Sequence, residues 1–315
     1  MASLRGNLFR MVLRRTTNLN PVRTPDAVAK LRGMAKGGSP DRVPKGFVLS
    51  RETTPDGVPY ERISKKDAPK TGRVVYYLHG GAYICGLLPL YRDLAPGLYQ
   101  ATGGCEVIFL DYRCAPEYKY PCQLEDAWNL WEDLTGRQGY REKNMLIAGD
   151  SAGANLALAL MLKLRDQGKP MPRCAFCISA WADMTGSGDS YIYNYGNDIM
   201  FGEKGKEPSI ESKQRLLESE IFCFVGDADR TDPYVSPVYG DYSGFPPMFF
   251  TAGGHEMLLS DTLTIMEKLK QNGVPVDCDI QDKMFHIHTM YGRHMPEGAK
   301  SYRRIMQFIE ARFQA

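Results

Sequence analysis

Apolar positions along this chain fall into two periods. Arg73–Leu78 (RVVYYL), Asn144–Ala148 (NMLIA), Pro247–Thr251 (PMFFT) and Val274–Ile280 (VPVDCDI) are short runs rich in aliphatic, β-branched and aromatic residues, each of strand length. Between such runs lie longer stretches with helical spacing, and Ala152–Leu164, dense in Ala and Leu, is the clearest. Strands and helices in alternation predict a mostly parallel central sheet flanked on both faces by helices. A chain of 315 residues with 43% hydrophobic and 24% charged content can bury that core as one large domain, and no internal repeat or low-complexity tract interrupts it.

The N-terminus has a different pattern. Met1–Arg15 places four arginines among its apolar residues, so it lacks the uninterrupted apolar core of a signal peptide. Leu4, Leu8, Met11 and Val12 share one helical face, and a basic amphipathic helix of this kind can lie on a membrane. The formal net charge of +2 provides no general field for nucleic acid or membrane. Eight cysteines, scattered through apolar runs, read as small buried hydrophobes. Cys174 and Cys177 have C-x-x-C spacing, but within a strand they point to opposite faces and no second ligand pair is near, so no metal is expected. A reduced, cytoplasmic protein is the expectation.

Chemistry enters at two motifs. Gly149-Asp150-Ser151-Ala152-Gly153 follows one strand run and opens the Ala/Leu helix, the form of a G-x-S-x-G nucleophile elbow. The flanking glycines let strand and helix approach closely, and Ser151 projects where the chain turns sharply. The Ala152 N–H lies at a helix N-terminus, where unpaired donors favour an anion. The other motif, His79-Gly80-Gly81-Ala82, follows the RVVYYL run and would bring further N–H groups to the same sheet edge. Gly80, Gly81 and Ala152 are therefore the expected oxyanion donors, with His79 fixing the loop rather than acting as base. A nucleophilic serine beside an oxyanion hole predicts acyl transfer.

HGGAY at 79–83, DYRCAPE at 111–117, GDSAG at 149–153 and the Asp232–Pro237 turn (DPYVSP) resemble, in this order and spacing, the hormone-sensitive-lipase-like carboxylesterases, bacterial family IV of the α/β-hydrolase superfamily. The likeness runs from about residue 46 to the C-terminus, and Cys114 stands where that family usually has Leu. It implies an α/β-hydrolase fold with a helical cap. Residues 1–45 would form the N-terminal part of the cap and 183–220 its second segment, with 46–182 and 221–315 as the catalytic core.

Such enzymes order their triad Ser, then acid, then His. After the PMFFT strand, His255, Glu256 and Asp261 crowd one loop. The resemblance selects Glu256, leaves Asp261 in a first helical turn and makes His255 a loop residue. Beyond the next strand stand His286 and His288. The family's histidine precedes a large apolar residue, which implies His286 as base and leaves His288 as a pocket-wall or supporting residue. His294 reads as surface. In the second cap segment Tyr191, Tyr193, Tyr195 and Phe201 suggest an apolar lining with hydroxyl tips, and Tyr83 and Trp181 are candidates to border the substrate. Arg113 and Glu117 read as a charged pair pinning the DYRCAPE turn.

The expected protein is a serine carboxylesterase for short- to medium-chain acyl esters. It would need no cofactor, take a small-molecule ester, bind neither nucleic acid nor a membrane stably, and form a homodimer if it follows the family. An amidase, formamidase or deacetylase would use the same triad. A non-catalytic binding protein on this fold would be expected to lose a triad member, and this chain keeps Ser151, Glu256 and His286.

Overall fold

Each of the four compact apolar runs becomes a strand of one sheet. In the computed structural model, which describes residues 3–16, 26–34, 39, 41–203 and 209–314, eight strands form a single sheet. They are β1 (Phe47–Thr53), β2 (Pro59–Lys65), β3 (Val74–Leu78), β4 (Glu106–Leu110), β5 (Met145–Asp150), β6 (Cys174–Ile178), β7 (Met248–Gly253) and β8 (Val276–Gln281). Their spatial order is β1-β2-β4-β3-β5-β6-β7-β8. The β1–β2 and β2–β4 pairs are antiparallel and the remaining pairs parallel.

Helices α1 (Leu4–Thr16) and α2 (Asp26–Met34) precede the sheet, and α3 (Ala95–Thr102), α4 (Cys122–Glu132) and α5 (Ala152–Asp166) alternate with its strands. The short α6 (Ser190–Tyr193) and α7 (Ile210–Leu217) follow β6, α8 (Leu259–Gln271) lies between β7 and β8, and α9 (Pro296–Phe313) closes the chain. Side chains of β3 alternate between two cores because successive residues of a strand face opposite ways. Val75 and Tyr77 pack with Leu98 of α3 and Phe308 of α9. Val74, Tyr76 and Leu78 pack with Leu130 of α4, Leu160 of α5 and Ile265 of α8. Burial on both faces explains why these strands read as continuous apolar runs rather than alternating ones. Cys174 and Cys177 likewise fall in opposite cores.

Parallel register brings the C-terminal strand ends together. Leu78 pairs with Gly149, Asp150 with Ile178, and Ile178 with Thr251, so the segments that follow β3, β5, β6 and β7 leave one edge side by side. In open parallel sheets this edge is where ligands bind.

Helix α1 packs on the body of the protein by one side. Its inward face is Phe9 and Leu13, which pack with Met284, Phe285 and Met295, and the Phe9 ring lies 6.4 Å from Phe285 and 5.4 Å from Tyr291. The Leu4, Leu8, Met11 and Val12 stripe faces outward. The bulky aromatic at position 9 takes the buried side, and no helical-period count can tell which of two apolar faces a neighbouring surface will accept. Among the expected cap segments, residues 1–2, 17–25, 35–38, 40 and 204–208 lie outside the described residues.

Candidate active site

The elbow forms as its residue sizes demand. A Cβ on Gly153 would collide with the backbone carbonyls of Leu78 and His79, and one on Gly149 with the carbonyl of Gly153, so α5 can lie against β3 and β5 only with glycine at both places. Ser151 sits between them at φ 53° and ψ −120°, a conformation that L-residues rarely adopt. Ala82 and Tyr83, in the loop after β3, also have positive φ, at 55° and 60°. Strain thus concentrates on the two loops that face each other across the sheet edge.

A continuous hydrogen-bond chain starts at the serine. Ser151 Oγ is 2.9 Å from His286 Nε2, and His286 Nδ1 is 2.7 Å from Glu256 Oε2. The carboxylate can only accept, so Nδ1 carries the proton and Nε2 is left to accept from the serine hydroxyl. Glu256 is fully buried and His286 nearly so. The other carboxylate oxygen, Oε1, accepts from the Gly253 N–H at 2.5 Å and from Ser179 Oγ at 3.1 Å. Ser179 Oγ in turn accepts from the Ile287 N–H at 3.0 Å, which ties the acid loop to the base loop. The loops after β7 and β8 therefore hold their side chains in one tautomer and one orientation.

Two other carboxylates brace this arrangement. Asp198 is fully buried; Oδ1 accepts from the Met200 and Phe201 N–H groups and Oδ2 from Met257 N–H at 2.7 Å, pinning the segment that follows β6 to the loop after β7. Asp261 accepts through Oδ2 from the N–H groups of Ala182 and Asp183 and from Tyr191 Oη. Burial pushes the Asp261 carboxyl well up. It lies in the first turn of α8, as expected, yet it anchors the segment leaving β6 rather than its own helix.

The oxyanion loop corrects the donor assignment. The Gly80 N–H donates to Asp150 Oδ1 at 3.0 Å and to Tyr91 Oη at 2.9 Å, so it is already engaged and is not the expected free donor. Asp150 also accepts from Tyr77 Oη and Tyr91 Oη, each at 3.0 Å. Burial raises its carboxyl to about 6 despite these donors. Among the described residues no acceptor lies on the N–H groups of Gly81, Ala82 or Ala152. His79 is structural, as expected: its Nδ1 donates to the Gly80 carbonyl at 2.8 Å, its ring stacks on Tyr112 at 4.2 Å, and burial lowers its pKa.

The serine opens on an apolar pocket of about 330 Å³ including its mouth. Trp181, Tyr191 and Phe201 form part of the wall together with Leu216, Ile221, Phe222, Met257 and Leu258, and Ala82 borders it beside Ser151. Phe201 sets its ring edge-on to His286 at 5.1 Å. Of the residues expected near the substrate, Trp181, Tyr191 and Phe201 line the pocket, whereas Tyr83, Tyr193, Tyr195 and His288 are not among its lining residues. Tyr83 lies behind it, donating from Oη to Asn155 Oδ1 at 2.7 Å with its ring tilted against Phe224 at 4.2 Å, so it clamps the loop after β3 to α5. Tyr193 is exposed at the surface of α6, one side of a short helix whose other side carries Tyr191 inward. His288 is fully buried, with Nε2 3.0 Å from Ser301 Oγ, and burial lowers it to about 4. A left-handed residue at Ile287 turns the chain so that His286 and His288 do not face the same way.

Other polar residues sort as follows. Arg113 pairs with Asp126 at 2.7 Å rather than with Glu117. Glu117 is held by Arg32 of α2, which also donates to the carbonyls of Ile84 and Ala115 and so links the N-terminal segment to the oxyanion loop. His255 lies 2.9 Å from Arg10, and His294 is exposed and stacked on Phe9. Ser179, Asp198 and the bracing function of Asp150 escaped sequence reasoning. For Ser179 the available signal was its place one residue past a strand at the ligand-binding edge; for Asp198 there was none.

The sequence profile of the alpha/beta hydrolase fold matches residues 75–290. This chain belongs to that family. It is 34% identical over 236 residues to an acetyl-hydrolase of Streptomyces hygroscopicus, covering 75% of each chain. It is 33% identical over 252 residues to an esterase of Acinetobacter venetianus, covering 80% of this chain and 78% of the other. A solved esterase from the bacterial hormone-sensitive lipase family superposes with a TM-score of 0.83 at 28% identity over 99% of both chains. The resemblance read from the motifs is therefore shown, and the chain stands among the carboxylic ester hydrolases.

Proposed function

We propose that this chain is a serine carboxylesterase that cleaves short- to medium-chain acyl esters through an acyl-enzyme on Ser151. The observation that carries the proposal is the unbroken Ser151–His286–Glu256 chain opening on an apolar pocket beside unengaged backbone donors. Ser151 Oγ attacks the ester carbonyl as His286 Nε2 takes its proton, and Glu256 stabilises the imidazolium. The N–H groups of Gly81, Ala82 and Ala152 receive the oxyanion; each such donor contributes on the order of 3 kcal/mol to the transition state. His286 then protonates the departing alcohol, and water, activated by the same imidazole, frees the acid. The pocket beside Ser151 is lined almost wholly by apolar side chains, which suits an acyl group, and the acetyl-hydrolase among the relatives favours a short one. The described parts of residues 1–45 and 183–220 act as the cap. A reducing, cytoplasmic setting belongs to the same reading, supported by eight cysteines that are all unpaired.

The test is hydrolysis of p-nitrophenyl esters from acetate to palmitate by the wild type and by Ser151→Ala. Turnover that peaks at short chains and vanishes in the variant is expected. A folded wild type inert on every ester, or a variant as active as wild type, would overturn the proposal. Turnover of amides in the first case would point to the amidase reading.

A further inference from the structure

We infer that the outward face of α1 is a peripheral docking surface for an anionic lipid bilayer. Leu4, Leu8 and Met11 recur at helical spacing on one side of this helix and are 91%, 59% and 53% exposed, with Val12 beside them at 52%. Isolated exposed apolar residues are ordinary, but a contiguous stripe of large ones is a mark of an interaction surface. The stripe is not a leftover of core packing, since the same helix already buries its opposite side through Phe9 and Leu13. Two apolar faces on one helix leave one of them for a partner.

Charge selects the partner. Leu4–Thr16 carries four arginines and no acidic residue. Arg10 and Arg14 turn back toward the body, on the carbonyls of Lys283 and Gly196, while Arg5 is exposed next to the stripe and Lys283 is exposed beside the helix. A second copy of this helix would set arginines against arginines. Anionic headgroups meet both requirements together, receiving the cations while the acyl region takes the leucines and the methionine. Among the described residues no helix is long and apolar enough to cross a membrane, so attachment would be peripheral and reversible. The Arg14 contact on Gly196 joins α1 to the loop three residues past Tyr193, which is itself 49% exposed. The inner face of α1 packs on Phe285, the neighbour of His286, so docking would hold the site behind α1 and the Phe9–Phe285 contact.

The experiment is co-sedimentation of the full chain with phosphatidylcholine vesicles, with and without phosphatidylglycerol, at low and high salt. Wild type is expected to bind the anionic vesicles and to be released by salt. Leu8→Glu with Met11→Glu is expected to weaken that binding by about tenfold or more, while turnover of a water-soluble ester stays unchanged and so reports an intact fold. Arg5→Glu should weaken binding without touching the stripe. No binding by wild type, binding that the double variant retains, or a salt-insensitive dimer that the double variant dissociates would each overturn the inference.

Discussion

Replacing Glu256 by Gln isolates what the acid contributes, because the substitution keeps the shape and removes one acceptor. Glu256 meets three donors: His286 Nδ1 at 2.7 Å on Oε2, and the Gly253 N–H and Ser179 Oγ on Oε1. A carboxamide offers one oxygen and one NH₂. With the NH₂ toward Gly253, two N–H donors would meet at a 2.5 Å separation. The favoured placement therefore keeps the oxygen on Gly253 and Ser179 and turns the NH₂ to His286. Nδ1 must then accept, the ring proton moves to Nε2, and the lone pair that should take the Ser151 proton is gone. An amide in place of the acid with geometry intact lowers kcat by about 10⁴, or roughly 5.5 kcal/mol of barrier. The assay is p-nitrophenyl butyrate hydrolysis near neutral pH, with KM and thermal midpoint measured alongside. KM should change little, because the carboxylate does not touch substrate. A kcat within tenfold of wild type in a folded Glu256→Gln would refute the tautomer argument.

Four further outcomes are expected. His286→Ala should abolish turnover, whereas His288→Gln should leave a measurable kcat, since His288 faces Ser301 and not the serine; the reverse result, read by steady-state kinetics, would exchange their assignments. His288 is held neutral with its pKa lowered to about 4 from 6.5, so the unfolded chain binds the proton first as pH falls. That stability is present above about pH 6.5 and is lost on acidification toward 4, by about 3 kcal/mol, and urea titrations should show a smaller acid loss in His288→Gln. Asp150 has the opposite sign: with its pKa raised from 3.8 to about 6, its contribution is present below about pH 4 and is lost as pH rises through 6. Asp150→Asn should therefore raise the thermal midpoint at pH 7, while Asp150→Ala, which strands the donors of Gly80, Tyr77 and Tyr91, should lower both the midpoint and kcat. Trp181→Ala should move the preferred acyl chain to greater length in the ester series; an unmoved optimum would take Trp181 out of the acyl pocket.

Much of this protein is determined locally by its sequence. Strands buried on both faces must be apolar throughout, so RVVYYL, NMLIA and PMFFT announce a parallel sheet wherever they end up. The elbow is partly local: glycine at 149 is demanded by the Gly153 carbonyl four residues on, while glycine at 153 is demanded by the carbonyls of Leu78 and His79 across the sheet. Ser151, Glu256 and His286 could be named because fixed neighbours in sequence accompany each of them. Tertiary structure alone decided which polar atoms are already occupied. The Gly80 N–H is consumed by a carboxylate 70 residues away, and the proposed function therefore turns to Ala82, whose side chain gave no hint of it. Tyr83, Tyr193 and His288 have the chemistry of substrate contacts but point into α5, solvent and Ser301. Asp198 and Ser179 act only through partners brought near by the sheet register and the cap. Which face of α1 turns inward was settled by Phe285 and Tyr291, about 280 residues downstream. Periodicity and the motifs that mark a turn are properties of neighbouring residues and survive in one dimension. Donor occupancy, side-chain direction and the choice between two apolar faces belong to pairs distant in sequence, and they exist only once the chain has folded.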